Sequence, residues 1–270
     1  MLLAIDVGNT QTVIGLFGPA GSEGGDHIDH LSPCDAGLLD HWRIHTNARR
    51  TSDEYALQFQ EFLGFHGFSF DDDIDGIAIS SVVPAVTAGL REMTEKYFGF
   101  RPIVIEAGVK TGMPIHTENP REVGADRIAN AVGAIDLFDG PIIVIDFGTA
   151  TTFDAISAHH AYLGGAIAPG LEISLDALDT RAAALRRVEL AEPRSVIGRT
   201  TIESMQAGAL FGYAGQVDGI CRRMVAEIGD ASVVATGGLA SWIGPHTDAI
   251  EHIEPWLTLH GLRIIFERNA

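Results

Sequence analysis

Hydrophobic positions along this chain follow two periodicities, and their succession predicts the elements. Leu2 to Ile5 and Val13 to Phe17 are apolar runs of strand length, and Leu39 to Thr46 adds a third carrying Trp42. Thr51-Ser52-Asp53-Glu54 has the spacing of a capping box, in which the Thr and Glu side chains each satisfy a backbone N–H at a helix start. Tyr55, Phe59, Phe62 and Leu63 then recur at helical spacing and mark one buried face. Ile74 to Val83 reads as a strand. Pro84 opens a helix whose stripe is Val86, Leu90, Met93 and Tyr97, and Arg101 to Ile105 follows as a strand. Further on, Val123, Ile128, Ala131, Val132 and Ile135 suggest a helix beginning near Pro120. Strands are expected from Pro141, over Thr151 to Ala158 and over Tyr162 to Ile167, then a helix over Gly170 to Ala184. Thr200 to Ile228 is a long helical stretch, Ser232 to Thr236 a strand ending in Gly237-Gly238, and Leu257 to Arg268 a closing helix.

Composition narrows the picture. The 270 residues are 46% hydrophobic and 20% charged, as in a globular protein. Net charge is −18, and the basic side chains include only two lysines, Lys96 and Lys110. Such a surface repels nucleic acid, whose binding depends on neutralised phosphates. An anionic substrate therefore needs a locally positive pocket or bound cations. Asp6 interrupts the apolar start, so no secretory leader is expected, and no uncharged run reaches membrane-spanning length. Cys34 and Cys221 are too few and too isolated for a disulfide framework or a metal knuckle. A cytoplasmic protein is expected. Gly18 to Leu38, rich in Gly, Asp and Ser, reads as a solvated loop to which His27 and His30 belong.

One stretch occurs twice. Ile5-Asp6-Val7-Gly8-Asn9-Thr10-Gln11-Thr12-Val13 is echoed by Ile145-Asp146-Phe147-Gly148-Thr149-Ala150-Thr151-Thr152-Phe153. Each copy follows an apolar run and precedes another, which reads as strand, tight turn, strand. The repeat divides the chain into two halves, taken as 1–113 and 114–270. Glycine lets backbone approach a ligand, and N–H groups and hydroxyls around such a turn can converge on an anion. A carboxylate beside a phosphate repels it unless a cation intervenes, so Asp6 and Asp146 imply Mg²⁺ or a monovalent ion. Three strands, helix, strand, helix, strand is the order of the ribonuclease-H-like fold shared by actin, hexokinase and Hsp70 ATPases. Joined to the repeat, it predicts an α/β protein of duplicated ribonuclease-H-like domains around a nucleotide cleft. Asp146-Phe147-Gly148 also spells the DFG of protein kinases, but no glycine-rich loop precedes a strand lysine and there is no HRD-type loop. The absence of lysine after either Gly turn excludes a P-loop.

From end to end the chain resembles the type III pantothenate kinases. The resemblance is carried by Asp6 to Thr10, Trp42-Arg43, Thr46, Thr51, Asp53-Glu54, Asn119-Pro120, Glu122 to Ile128 and Asp146 to Thr152. Gly164 to Gly170, Met205 to Gly208 and Leu262 to Asn269 complete it. It implies transfer of the ATP γ-phosphate to the primary hydroxyl of pantothenate, the first step toward coenzyme A. It implies ATP phosphates on Asp6, Val7, Gly8, Asn9, Thr10, Gln11, Thr12, Val13 and Thr149, with Mg²⁺. It further implies K⁺ or NH₄⁺ on Asp146, pantothenate on Gly124, Ala125, Asp126 and Arg127, Asp126 as catalytic base, and a homodimer. Three positions depart from the family pattern: Thr117 where Tyr is common near the pantothenate pocket, Ala182 where a Thr often contacts substrate, and Arg186 in place of a common Pro. Another small-molecule kinase of the same superfamily and a catalytically silent regulatory relative are the competing readings. Retention of Asp6, Asp126, Asp146 and Thr149 argues against the silent relative.

Overall fold

The computed structural model describes residues 1–19, 21–22, 25, 32–70, 73–182 and 184–270. His27 and His30 lie outside the described residues. The chain divides into two compact units: Met1–Pro114 with Glu118–Leu137 and Trp256–Ala270, and Ile115–Thr117 with Phe138–Pro255. A single cut after residue 113 is thus not how the packing divides, because two late helices complete the first unit.

In that unit β1 (Leu2–Val7), β2 (Gln11–Phe17) and β3 (Leu38–His45) form an antiparallel meander. Then come α1 (Ser52–Gly64), β4 (Gly76–Ser81), α2 (Pro84–Met93) and the short β5 (Ile103–Val104). Sheet order is β3-β2-β1-β4-β5, with β4 parallel to β1 and β5 parallel to β4. One face, bearing Leu3, Ile5, Val7, Ile77 and Ile79, packs against Tyr55, Phe59, Leu63, Val86, Leu90 and Met93. This is the core that the two helical stripes predict. The capping box at Thr51 and Glu54 forms with both of its bonds. Tyr97 leaves its expected stripe. A π-helical turn, Thr94–Phe98, follows α2, and its larger number of residues per turn carries Tyr97 off the stripe, where its hydroxyl donates to Asp53 at 2.8 Å.

Alternation places Ala4 and Asp6 of β1 and Gly76, Ala78 and Ser80 of β4 on the opposite face. The small residues admit close cover. It comes from α3 (Ala125–Leu137), packed on β4, and from the C-terminal helix Leu257–Glu267, packed on β1 and β4. A Cβ on Gly76 would enter the Phe266 ring. The two helices meet backbone to backbone: a Cβ on Gly133 would lie 2.7 Å from the Leu257 carbonyl, and one on Gly261 would overlap the Ala129 carbonyl.

The second unit repeats the plan. Its meander is β6 (Ile142–Phe147), β7 (Ala150–Ile156) and β8 (Tyr162–Pro169), followed by α4 (Leu171–Arg181), α5 (Thr201–Ile228) and β9 (Ser232–Thr236). α6 (Ala240–Ile243) and β10 (His252–Ile253), too short to show periodicity in sequence, come last. Strand order is β10-β9-β6-β7-β8, with β9 parallel to β6 and β10 parallel to β9. Read from the other edge, this is the order of the first sheet, so the fold is a duplicated ribonuclease-H-like α/β fold. Ile143, Ile145, Phe147 and Val233 pack with Leu171, Leu175, Val217 and Cys221. No helix among the described residues is long and apolar enough to cross a membrane.

Candidate active site

The first repeated turn joins β1 to β2. Gly8 N–H donates to the Gln11 carbonyl at 3.0 Å, and Thr46 N–H to the Thr10 carbonyl at 3.0 Å. Thr46 Oγ1 donates to the Gly8 carbonyl at 2.7 Å and lies 2.9 Å from Thr12 Oγ1. With its proton given to Gly8, Thr46 can only accept from Thr12, so the two hydroxyls form a short relay under the turn. Asn9, Thr10 and Gln11 are exposed at its tip, while Asp6, Gly8 and Val13 are half-buried. Val7 and Thr12 are buried: Val7 belongs to the core, and the Thr12 side chain braces the turn from beneath.

The second turn, between β6 and β7, is one residue shorter. Val7 pairs with Thr12 across the first hairpin, whereas Phe147 pairs with Thr151 across the second. The counterpart of Thr12 is therefore Thr151, not the in-step Thr152, and both are buried. Gly148 N–H donates to the Ala150 carbonyl at 3.0 Å, leaving Gly148 and Thr149 exposed at the tip. Where the first turn is tied by Thr46, the second is tied by Gly170, whose N–H donates to the Thr149 carbonyl at 3.1 Å. Any Cβ there would collide with the Gly148 and Thr149 carbonyls. Gly237, at φ +89°, follows β9 directly, and a Cβ on it would stand 2.6 Å from both Asp146 Oδ1 and the Phe147 carbonyl. Gly237 therefore makes room for this strand end, while Gly238 faces open space.

Gly124 to Arg127 begin α3, after the 3-10 turn Pro120–Glu122. The Gly124 carbonyl accepts from Ile128 N–H at 3.1 Å, and Asp126 Oδ1 accepts from Arg127 N–H at 2.9 Å. The Asp126 carboxylate thus folds back over the helix N-terminus, where negative charge is favoured. It fills the space a side chain at Gly124 would need. All four residues are half-buried, open enough for a ligand and anchored enough to be held.

The hold on α3 comes from the C-terminal helix. Thr258 Oγ1 donates to Asn130 Oδ1 at 2.6 Å, and His260 Nε2 lies 2.9 Å from Asp136 Oδ2. Arg263 approaches His260 Nδ1 at 3.3 Å and can only donate, so Nδ1 accepts and Nε2–H donates to Asp136. Burial, with a smaller push from Arg263, lowers the His260 pKa below the ordinary histidine value, against the pull of Asp136 and Glu267.

Asp6 to Val13 and Gly124 to Arg127 fall in the first unit; Asp146, Thr149, Thr117 and Ala182 fall in the second. Ala182 caps the end of α4 with its N–H on the Leu178 carbonyl, and Arg186 is exposed. Thr117 lies in a segment that bridges to β8 at Tyr162, and its Oγ1 is buried with no hydrogen-bond partner. An open groove along α1, lined by Arg50, Glu54, Leu57 and Gln58, contains none of the expected residues. Sequence reasoning missed the tie that Gly170 makes and the register positions of Thr151 and Ser80. Ser80 is buried in register with Asp6, and only the pairing of β1 with β4 reveals it.

Known proteins match this arrangement along its whole length. A family model for type III pantothenate kinase matches residues 2–223. The type III pantothenate kinase of Streptomyces avermitilis is 53% identical, over 100% of this chain and 98% of its own length. That of Moorella thermoacetica is 53% identical over 100% of both. Among solved structures, a Campylobacter jejuni protein provisionally described as a Baf family transcriptional activator superposes with a TM-score of 0.57 at 18% identity, covering 99% of this chain and 98% of that one. A Listeria monocytogenes protein provisionally described as an N-acetylmannosamine kinase gives 0.53 at 11%, covering 100% and 99%. At these identities the structures speak for the fold alone.

Proposed function

The chain belongs to the type III pantothenate kinase family, and we propose that it transfers the γ-phosphate of ATP to the primary hydroxyl of pantothenate, giving 4′-phosphopantothenate in the first step of coenzyme A biosynthesis. The observation that carries this is the full-length likeness to relatives of that name, joined to two exposed Gly turns that each follow an aspartate.

A primary alcohol is a weak nucleophile, and a positioned carboxylate that takes its proton speeds attack on phosphorus. Asp126 is that base, held by the Arg127 N–H and by the empty side-chain space at Gly124. Arg127, one residue on, receives the pantothenate carboxylate with its planar fork. The β1–β2 turn, with Asp6 at its base, offers backbone N–H groups and a hydroxyl at Asn9, Thr10 and Gln11 to ATP phosphates, and the β6–β7 turn offers those of Thr149.

The cations fit the donors present. Asp6 and Asp146, with hydroxyls and carbonyls around them, are hard oxygen ligands of the kind Mg²⁺ and K⁺ prefer. No cluster of three or more His, Cys, Asp or Glu that could cage a metal occurs among the described residues. That suits Mg²⁺ entering with the nucleotide's own oxygens, and K⁺ or NH₄⁺ held at Asp146. When bound, they neutralise phosphate charge that lysine neutralises in P-loop enzymes. Leu163 and Ile167 of β8 and Ile173 and Leu178 of α4 are exposed apolar side chains, which supports burial against a second copy in a homodimer. Consumption of ATP, a cytoplasmic nucleotide, supports work in the cytoplasm.

A coupled assay of ADP release with ATP, Mg²⁺ and pantothenate, with and without potassium, tests the reading. Pantothenate-dependent ADP release is expected, whereas turnover with sugars or acetate but not pantothenate overturns it.

A further inference from the structure

Ser80 is 0% exposed, and its Oγ has no hydrogen-bond partner. A hydroxyl taken out of water and left unpaired costs stability, and its replacement by an apolar group is neutral or better. Such a group asks for an explanation beyond packing. Its position supplies one. Parallel pairing sets Ser80 beside Asp6, and residues in register on neighbouring strands project from the same face. Gly76, in the same row of β4, meets Phe266 of the C-terminal helix, while Ile77 and Ile79 point into the opposite core. Ser80 Oγ therefore lies on the Asp6 side of the sheet, the face that α3 covers.

The second unit repeats the pairing. Thr236 of β9 is in register with Asp146 and is buried. Each unit sets a buried hydroxyl beside its repeated aspartate, although no sequence motif joins Ser80-Ser81 to Thr236-Gly237.

We propose that Ser80 is a positioning residue for the Asp6 carboxylate in the nucleotide-bound enzyme. Rotation about χ1 carries its hydroxyl to one Asp6 oxygen, to which it donates. The other oxygen is then held toward the phosphates and their cation. Buried as it is, Ser80 does not touch the nucleotide; it acts through Asp6. The inference rests on the reading of the β1–β2 turn as a phosphate site, not on the identity of the acceptor alcohol.

The test compares wild type with Ser80→Ala and Ser80→Thr, using calorimetric titration of a non-hydrolysable ATP analogue with Mg²⁺ and the melting temperature without ligand. Ser80→Ala is expected to melt no lower than wild type yet bind the nucleotide about 10-fold more weakly, the effect of losing a hydrogen bond to a charged group. Its KM for pantothenate stays unchanged. Ser80→Thr, for which Thr236 is the internal precedent, restores nucleotide affinity. Wild-type nucleotide affinity in Ser80→Ala overturns the proposal, as does loss of melting temperature together with both affinities, the mark of a structural role. A Thr variant that melts normally but stays impaired also overturns it. If wild type binds nucleotide yet leaves pantothenate unphosphorylated, the proposed acceptor is wrong and Ser80 is still judged by the titration. If it binds no nucleotide, both ideas fall.

Discussion

At the scale of single residues, adjacent side chains at the start of α3 are proposed to do different work. Asp126 and Arg127 follow one another, so they project about 100° apart on the helix and can address two ends of one substrate. Asp126→Asn preserves shape and removes basicity, so kcat should fall about 10²–10⁴-fold with circular dichroism unchanged; near-normal turnover would remove Asp126 from the chemistry. Arg127→Ala should raise the KM for pantothenate, by the equivalent of about 2–5 kcal/mol if the pair is desolvated. The KM for ATP should barely move. Pantetheine, which lacks the carboxylate, discriminates: an equal penalty on pantetheine means that Arg127 serves something other than that carboxylate. Thr46 stands one step further back. Thr46→Val removes the donor to the Gly8 carbonyl and strands Thr12, so hydrogen exchange across 8–12 should quicken and the KM for ATP should rise, with Thr46→Ser recovering both. Unaltered exchange in the Val variant counts against the relay.

At the scale of elements, the site depends on a helix that sequence places far away. The C-terminal helix fixes α3 through Gly261 against Ala129, Thr258 on Asn130 and His260 on Asp136. The histidine makes this seam sensitive to acid. Its folded pKa is lowered, chiefly by burial, so below the ordinary value near 6.5 the unfolded chain binds more protons than the folded one. Stability is then full above that value and declines as pH falls through it. His41 is lowered in the same sense by burial and adds to the slope. Melting temperatures measured between pH 7.5 and about 5 should fall, and His260→Asn should flatten the curve. An unchanged slope in that variant would assign the acid sensitivity elsewhere.

On the scale of the whole molecule, two copies of one plan have diverged in how they secure the same turn. The first uses a threonine relay; the second uses a glycine that lets backbone touch backbone. Gly170→Ala should therefore be far more damaging than its size suggests, because the carbonyls of Gly148 and Thr149 occupy the space its methyl needs. Overall charge sets another expectation. For a protein at −18 with two lysines, bound cations are the proposed means of neutralising a nucleotide. Activity should be low in sodium or Tris buffer and return with potassium or ammonium; if Asp146→Ala keeps that salt response, the monovalent site is elsewhere.

Sequence by itself determined what depends on near neighbours. Hydrophobic periodicity marked the strands and long helices, Thr51 and Glu54 marked a helix start, and the Asp-Gly repeat marked both turns, because each is written within a few residues. Tertiary structure decided what depends on pairing across the chain. The one-residue slip that makes Thr151 the partner in role of Thr12 is a matter of hairpin register. So is the pairing of Ser80 with Asp6, which parallel strands make between residues more than seventy positions apart. The π turn that frees Tyr97 breaks a period that sequence can only assume constant. Membership of the late helices in the first unit follows from a sheet with two apolar faces, of which α1 and α2 cover one. α3 and the C-terminal helix cover the other, and their packing there and against each other fixes the helix bearing Asp126.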